Sequence, residues 1–399
     1  MLEQKDLWRY VDRDFVIELT KALVSIPSHK EVSRQETEVA KFIKTVFEAH
    51  HIPSEIVEVE AGRCNVIAKL EGRASGKRLL LNGHLDTVPI YGMKEALTPV
   101  IKDGHLFGRG AVDMKGPIAA MITAMIALKR MNTPFEGSVQ FAGVIDEEEK
   151  SLGTIHFLEN LEVIPDGVIV GEPTNLNLCV AHRGLQWIEI LIKGKTVHGG
   201  NQAEGLNAIS LMGQFIPYIE AEMKKYIDES EHPIIGRGSF NIGTIKGGTQ
   251  PSTVAGECLM KFDRRWLPSE NLEMIMAQVE HIVKSFEQAH LGYKITYRSM
   301  DESIMVGDYS HESMDTSVDA PIVKSVSKAI QDCTGEAPMI TAFPAWSDGG
   351  LFHHFKGIST VVCGPGKLAT AHSDEECIEI ESLLKGVEVY VQSILEFLK

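Results

Sequence analysis

Three apolar runs in the first half of the chain each stop at a cluster of polar and acidic residues, and this recurrence constrains the fold more than any other feature. Residues 78–82 (RLLLN) lead into Gly83-His84-Leu85-Asp86. Residues 138–145 (SVQFAGVI) lead into Asp146-Glu147-Glu148-Glu149, and residues 167–170 (GVIV) into Gly171-Glu172-Pro173. Short apolar runs bounded by polar clusters read as buried strands. Between the first two lies an apolar helical stretch, 117–131, with Pro117 at its first turn. Strands alternating with helices predict an α/β domain. Ligands of open α/β sheets bind beyond the carboxyl ends of the strands, so the polar clusters are expected to share one site.

The middle of the chain follows another pattern. Residues 186–193 (QWIEILIK) alternate as a half-buried strand does. Helices are expected at 204–227 and 270–290, and strands at 239–245 and 256–264. The α/β pattern resumes with a strand at 361–362 and a C-terminal helix over 381–398. Helical periodicity also covers 14–50, broken near Pro27. The expected organisation is a discontinuous catalytic domain, 1–182 and 292–399, with an inserted α+β domain at 183–291.

Charge and cysteines exclude several classes. Acidic residues number 55 against 39 basic ones, a formal net charge of −16. Such a chain lacks the positive field that draws nucleic acid or anionic membranes, and neither partner is expected. No apolar run reaches the roughly 18 residues of a membrane span. The opening MLEQKDLWRYVDRDFVIEL lacks the apolar centre of a signal peptide. Cys64, Cys179, Cys258, Cys333, Cys363 and Cys377 are scattered without a CxxC pair, which reads as reduced thiols in a cytoplasmic protein.

His84 and Asp86 stand two apart at a strand end, where their side chains can share a face. A carboxylate so placed can orient a metal-bound imidazole. Asp113 lies in the glycine-spaced loop GRGAVDMKG, 108–116, and His372 in AHSDEE, 371–376. Taken singly, each feature has a plain structural reading: a capped strand end, a glycine turn before a helix, a solvated acidic turn, a structural histidine. Taken together, they put two histidines and several carboxylates on one edge of one sheet. Imidazole and carboxylate ligands suit zinc, manganese or cobalt, and the lack of cysteine ligands points to a catalytic site.

In order along the chain, GHLDTVP (83–89), GRGAVDMKG, DEEE (146–149), GEPT (171–174), VHGG (197–200) and AHSDEE resemble the two-zinc metallopeptidases. That family includes acetylornithine deacetylase, succinyl-diaminopimelate desuccinylase, aminoacylases and glutamate carboxypeptidases. The resemblance implies a zinc-peptidase-like catalytic domain, with a mixed sheet flanked by helices, and a lid used for dimerisation. It implies one zinc on His84, Asp113 and Glu172, and another on Asp113, Glu148 and His372, with cobalt or manganese able to substitute. Asp86 would orient His84, and Glu147 would be the general base of an amide hydrolysis. His198 of the lid would stabilise the oxyanion in the opposing subunit of a homodimer. Arg265, in Asp263-Arg264-Arg265, would clamp a substrate carboxylate, or else pair structurally with Asp263. A cis peptide is expected at Asp113–Met114.

Some positions depart from the family pattern. An Asn common after the lid's Gly-Gly is replaced by Ser252 or Thr253, and Trp346 precedes Ser347-Asp348. Trp346 reads as packing, and His353-His354 as structural. A nucleophilic hydrolase would need a Gly-x-Ser-x-Gly elbow, which the sequence lacks. A non-catalytic scaffold would be expected to lack a ligand or the base, and both are present. The expected substrate is an N-acyl amino acid; the alternative is a short peptide cleaved by a dipeptidase or carboxypeptidase.

Overall fold

The structure, a computed structural model, describes residues 7–132 and 134–399. The chain divides into two compact units, one reaching up to Ala181 and resuming with Met314–Lys399, the other spanning His182–Ser313.

The first unit opens with α1 (Arg13–Ser25), capped by the Asp12 carboxylate on the Asp14 N–H. Pro27 follows closely, and helix resumes only at α2 (Thr37–Ala49). Then come β1 (Ser54–Glu60), β2 (Arg63–Glu71), β3 (Arg78–His84), β4 (Val100–Lys102) and β5 (His105–Phe107). Helix α3 (Gly116–Met131) follows, then β6 (Ser138–Val144), α4 (Leu152–Glu159), β7 (Gly167–Val170) and β8 (Leu178–His182). By length and composition α3 could cross a membrane, yet every residue from Gly116 to Leu128 is buried. It is a core helix, apolar on all sides because protein surrounds it.

The second unit contains β9 (Gly184–Lys193), a 3₁₀ turn (Gly199–Glu204), α5 (Ala208–Asp228), β10 (Ser239–Gly247) and β11 (Glu257–Trp266), then α6 (Leu272–Gln288) and β12 (Lys294–Ser299). Its sheet, in the order β10-β11-β9-β12, is antiparallel throughout. The alternation of β9 buries Ile188, Ile190 and Ile192 among Phe215, Ile219, Val279 and Phe286. Gly184 leaves room for the Trp266 indole, since a Cβ there would lie 2.3 Å from the ring. The sequence expectation that this domain ends at 291 needs correction. β12 pairs along β9 from Lys294 to Ser299, and the unit runs on to Ser313.

Back in the first unit are β13 (Met314–Asp315), α7 (Pro321–Thr334), β14 (Ile340–Ala342), α8 (Gly349–Lys356), β15 (Thr360–Val362), β16 (Cys377–Glu379) and α9 (Ile380–Phe397). The large mixed sheet has the order β1-β2-β6-β3-β7-β15-β8-β13, with β14 also on β8. Helices α3 and α9 pack on one another. Strands β6, β3, β7 and β15 lie side by side and parallel, with Val144 opposite His84, Asn82 opposite Val170, and Val170 opposite Val362. Their carboxyl ends therefore emerge together, as the sequence pattern predicts. A small sheet, β16-β5-β4, ties down the chain just beyond His372.

One buried group makes the second unit acid-sensitive. Burial pushes the His311 imidazole down to about 4, and the nearby Arg265 charge adds to the effect. The unfolded imidazole takes up its proton below about 6.5, so between these values the unfolded state binds the extra proton. Stability then rises with pH through that window and falls as pH drops through it. His311→Gln is expected to flatten the dependence of the urea midpoint on pH between about 4 and 6.5. A slope as steep as that of the unsubstituted protein would refute this assignment.

Candidate metal centre

His84 is the last residue of β3 and is buried. Its Nδ1 lies 3.0 Å from the Asp86 main-chain oxygen, which can only accept, so Nδ1 carries a proton. Nε2 faces Asp113 Oδ1 at 3.0 Å and Glu172 Oε1 at 3.7 Å. The Asp86 carboxylate is farther from the imidazole, at 3.5 Å. It instead accepts the Glu147 N–H on Oδ1 at 3.1 Å and the Glu148 N–H on Oδ2 at 2.9 Å. Asp86 thus steers the histidine mainly through its backbone and braces the DEEE turn through its side chain.

Asp113 sits in the tight turn Ala111–Lys115 ahead of α3, and the Asp113–Met114 peptide is cis. The turn is entered through Gly110 at φ 81°, where a Cβ would lie 2.7 Å from the Thr87 side chain. The two carboxyl oxygens of Asp113 look in different directions. Oδ1 meets His84, and Oδ2 lies 3.2 Å from Nε2 of His372. That same Nε2 is 2.9 Å from Glu148 Oε1. Two groups follow, His84–Asp113–Glu172 and Asp113–Glu148–His372, each offering three ligand atoms within 4.8 Å of one another. Either group could hold a metal ion, and Asp113 belongs to both.

The electrostatics describe a cluster short of positive charge. Burial pushes the Glu147, Glu172 and Glu148 carboxyls above their ordinary range, and neighbouring carboxylates add to it. Burial also works against ionised Asp113, but bonds from His372 and His84 outweigh it and hold the carboxyl below its ordinary range. Asp113 and Glu148 raise His372 to about 10. His84 is likewise raised, its bonds to Asp113 and Asp86 overcoming the cost of burial.

Glu147 lies within electrostatic reach of His84, Glu172 and Asp348. His198 and Arg265 belong to the other unit. His198 is exposed; its Nδ1 accepts the Gly200 N–H at 3.1 Å, so the neutral ring carries its proton on Nε2. Its turn leans on the segment around Ser252 and Thr253, where Ser252 O accepts the Gly199 N–H at 2.7 Å. Arg265 Nε donates to Asp263 Oδ2 at 3.0 Å, so the ion pair expected as its structural reading exists. Trp346 is buried, and His353 and His354 lie on α8 outside both groups.

Sequence reading assigned no role to three buried supports of the site. Arg63 binds Glu36 at 2.6 Å and Asp146 at 2.7 Å, anchoring the residue before Glu147. Glu376 binds Arg109 at 2.6 Å. Asp348 Oδ2 accepts the Thr154 hydroxyl at 2.6 Å, and burial pushes its carboxyl up to about 6. Arg109, Asp348 and Glu376 lie inside or beside recognisable motifs. Glu36 and Arg63 carry no local signal, because their partners are remote in sequence.

Residues 80–396 match the family model described as peptidase family M20/M25/M40. The chain is 30% identical over 335 residues to an acetylornithine deacetylase of Aliivibrio salmonicida, with 81% of each chain covered. It is 26% identical over 386 residues to a Staphylococcus epidermidis protein named "Probable succinyl-diaminopimelate desuccinylase", covering 89% of this chain and 91% of that one. In fold it is similar to the crystal structure of aminopeptidase PepT from Bacillus cereus, with TM-score 0.77 at 22% identity over 98% of this chain and 100% of the other.

The bracing of the DEEE turn is open to direct measurement. Asp86→Ala leaves the Glu147 and Glu148 amides without their acceptor, at ~1–3 kcal/mol for a buried unsatisfied group. Hydrogen exchange at those two amides is expected to quicken by at least tenfold, with little change in the second unit. Unchanged protection at both amides would contradict the geometry.

Proposed function

Because the chain belongs to peptidase family M20/M25/M40, we propose that it hydrolyses the amide bond of an N-acyl amino acid, using two divalent metal ions held by His84–Asp113–Glu172 and Asp113–Glu148–His372. The observation that carries this reading is Asp113, whose two oxygens face two separate ligand groups. The donor set fits such ions. It mixes imidazole nitrogen with carboxylate oxygen, contains no sulfur, and sits where buried acids need compensating charge. Zinc suits it best, and cobalt or manganese can replace zinc. When bound, two such cations would polarise the scissile carbonyl and make an attacking water more acidic.

The chain's own residues would do the rest. Glu147 takes a proton from the attacking water as the new carbon–oxygen bond forms. It returns the proton to the departing amine as the carbon–nitrogen bond breaks. Asp86 keeps Glu147 and Glu148 in place through their amides. The family resemblance implies that His198 stabilises an oxyanion in the opposing subunit of a homodimer formed through the second unit, and its exposed Nε2–H donor is compatible with that role. Arg265 spends one N–H on Asp263 and keeps others for a substrate carboxylate. The names of the deacetylase and desuccinylase relatives support an acylated amino acid as substrate. Six free thiols, five of them buried, go with a reducing cytoplasm.

Two experiments test this function. Exhaustive chelation is expected to abolish amide hydrolysis and added zinc or cobalt to restore it; full activity without metal would sink the two-metal reading. Glu147→Ala is expected to keep its metal while kcat falls ~10²–10⁴-fold, the usual worth of a general base. A rate near that of the unsubstituted enzyme would remove Glu147 from this role. Comparing kcat/KM for N-acetylornithine, N-succinyl-diaminopimelate, other N-acyl amino acids and dipeptides identifies the substrate, and a clear preference for dipeptides would replace the acyl amino acid.

A further inference from the structure

One buried ion pair fastens three stretches of backbone that carry the metal-holding side chains. Arg109 Nη1 and Glu376 Oε2 are 2.6 Å apart, and both side chains are 1% exposed. The second oxygen of Glu376, Oε1, accepts the N–H of Val112 at 3.1 Å and the N–H of Asp113 at 3.2 Å. The main-chain oxygen of Glu376 accepts the Gly108 N–H at 3.2 Å. On the other side, Arg109 Nε donates to the Pro89 carbonyl at 3.2 Å. The pair therefore touches the loop leaving His84 and Asp86, the turn holding Asp113, and the segment that carries His372 four residues earlier.

We propose that Glu376, locked by Arg109, is a positioning residue for the metal centre. It fixes the Asp113 backbone so that one carboxyl oxygen faces the His84 group and the other faces the His372 group. The inference rests on the two-metal reading above. A buried carboxylate is tolerated only when it is paired and hydrogen-bonded, and here the partners are one guanidinium and two amides of the Asp113 turn. Asp113 has a short side chain with two rotatable bonds. Holding its N–H therefore restricts where its oxygens can go, and both ligand groups depend on them. Residues that orient metal ligands in this way typically matter 10–100-fold for metal affinity.

The test is zinc affinity and stoichiometry of the full chain, measured by competition with a chromophoric chelator, alongside the Tm of the metal-free protein. Glu376→Gln keeps the length but sets an amide NH₂ against either Arg109 or the two backbone donors. Two zinc ions are expected per chain of the unsubstituted protein, with both bound ~10–100-fold more weakly by the variant. Glu270→Gln is the control, since it breaks the Arg264–Glu270 pair of 2.9 Å in the second unit. It is expected to lower Tm while leaving zinc affinity unchanged, separating lost stability from lost positioning. Should Glu376→Gln fail to fold, Arg109→Lys keeps the charge but gives up the guanidinium fork, and the same weakening is expected. Zinc affinity equal to that of the unsubstituted protein in the folded variant, or a loss no larger than in the control, overturns the positioning role alone. An unsubstituted chain that binds no zinc overturns the two-metal reading and this inference together.

Discussion

Crowded negative charge at one edge of a parallel sheet sets the terms for everything around it. Four neighbouring strands end together, and the chain beyond them carries Asp86, Asp113, Asp146, Glu147, Glu148 and Glu172. The protein answers part of this charge with its own groups. Arg63 pairs with both Glu36 and Asp146, Arg109 pairs with Glu376, and two amides satisfy Asp86. The inner set, Glu147, Glu148 and Glu172, has His84 and His372 beside it rather than an arginine, and still holds its protons more tightly than usual. The outer charges build a rigid frame, and the inner ones create an appetite for cations.

Much of this was legible in the sequence because strand ends and carboxylates share a local signal. The runs at 78–82, 138–145 and 167–170 became β3, β6 and β7, and the polar residues after them converge. What stayed hidden was of two kinds. The strand β12 is only six residues long and fully buries just one side chain, Ile295, so its apolar signal is weak and the sequence pattern ends the inserted unit before it. The other kind is long-range pairing. Arg63 finds Glu36 from 27 residues away and Asp146 from 83, and no spacing rule connects them.

Asp86 shows why a correct motif can still mislead about mechanics. A His-x-Asp pair suggests a carboxylate on the imidazole, yet the backbone carbonyl lies nearer to Nδ1, at 3.0 Å against 3.5 Å. The side chain also takes two amide donors in the neighbouring turn, where it satisfies part-buried N–H groups at both oxygens. The cost of leaving two backbone donors unpaired outweighs a second contact to an imidazole already oriented. Arg265 is likewise engaged locally, its Nε donating to Asp263.

The interrupted course of the first unit has a consequence for biosynthesis. His84, Asp113 and Glu172 have all been made by residue 172, so one ligand group is complete early in translation. Glu148 and Asp113 then wait for His372, which follows the whole inserted unit and β15 in the chain. The inserted unit is contiguous and has its own core, so it can fold on the ribosome while the larger one still lacks a central strand. A chain stalled or clipped between residues 314 and 359 thus carries one finished ligand group, one unfinished group, and a mixed sheet with an unfilled slot between β7 and β8. Such fragments expose strand edges that the finished protein pairs, and exposed edges are templates for aggregation.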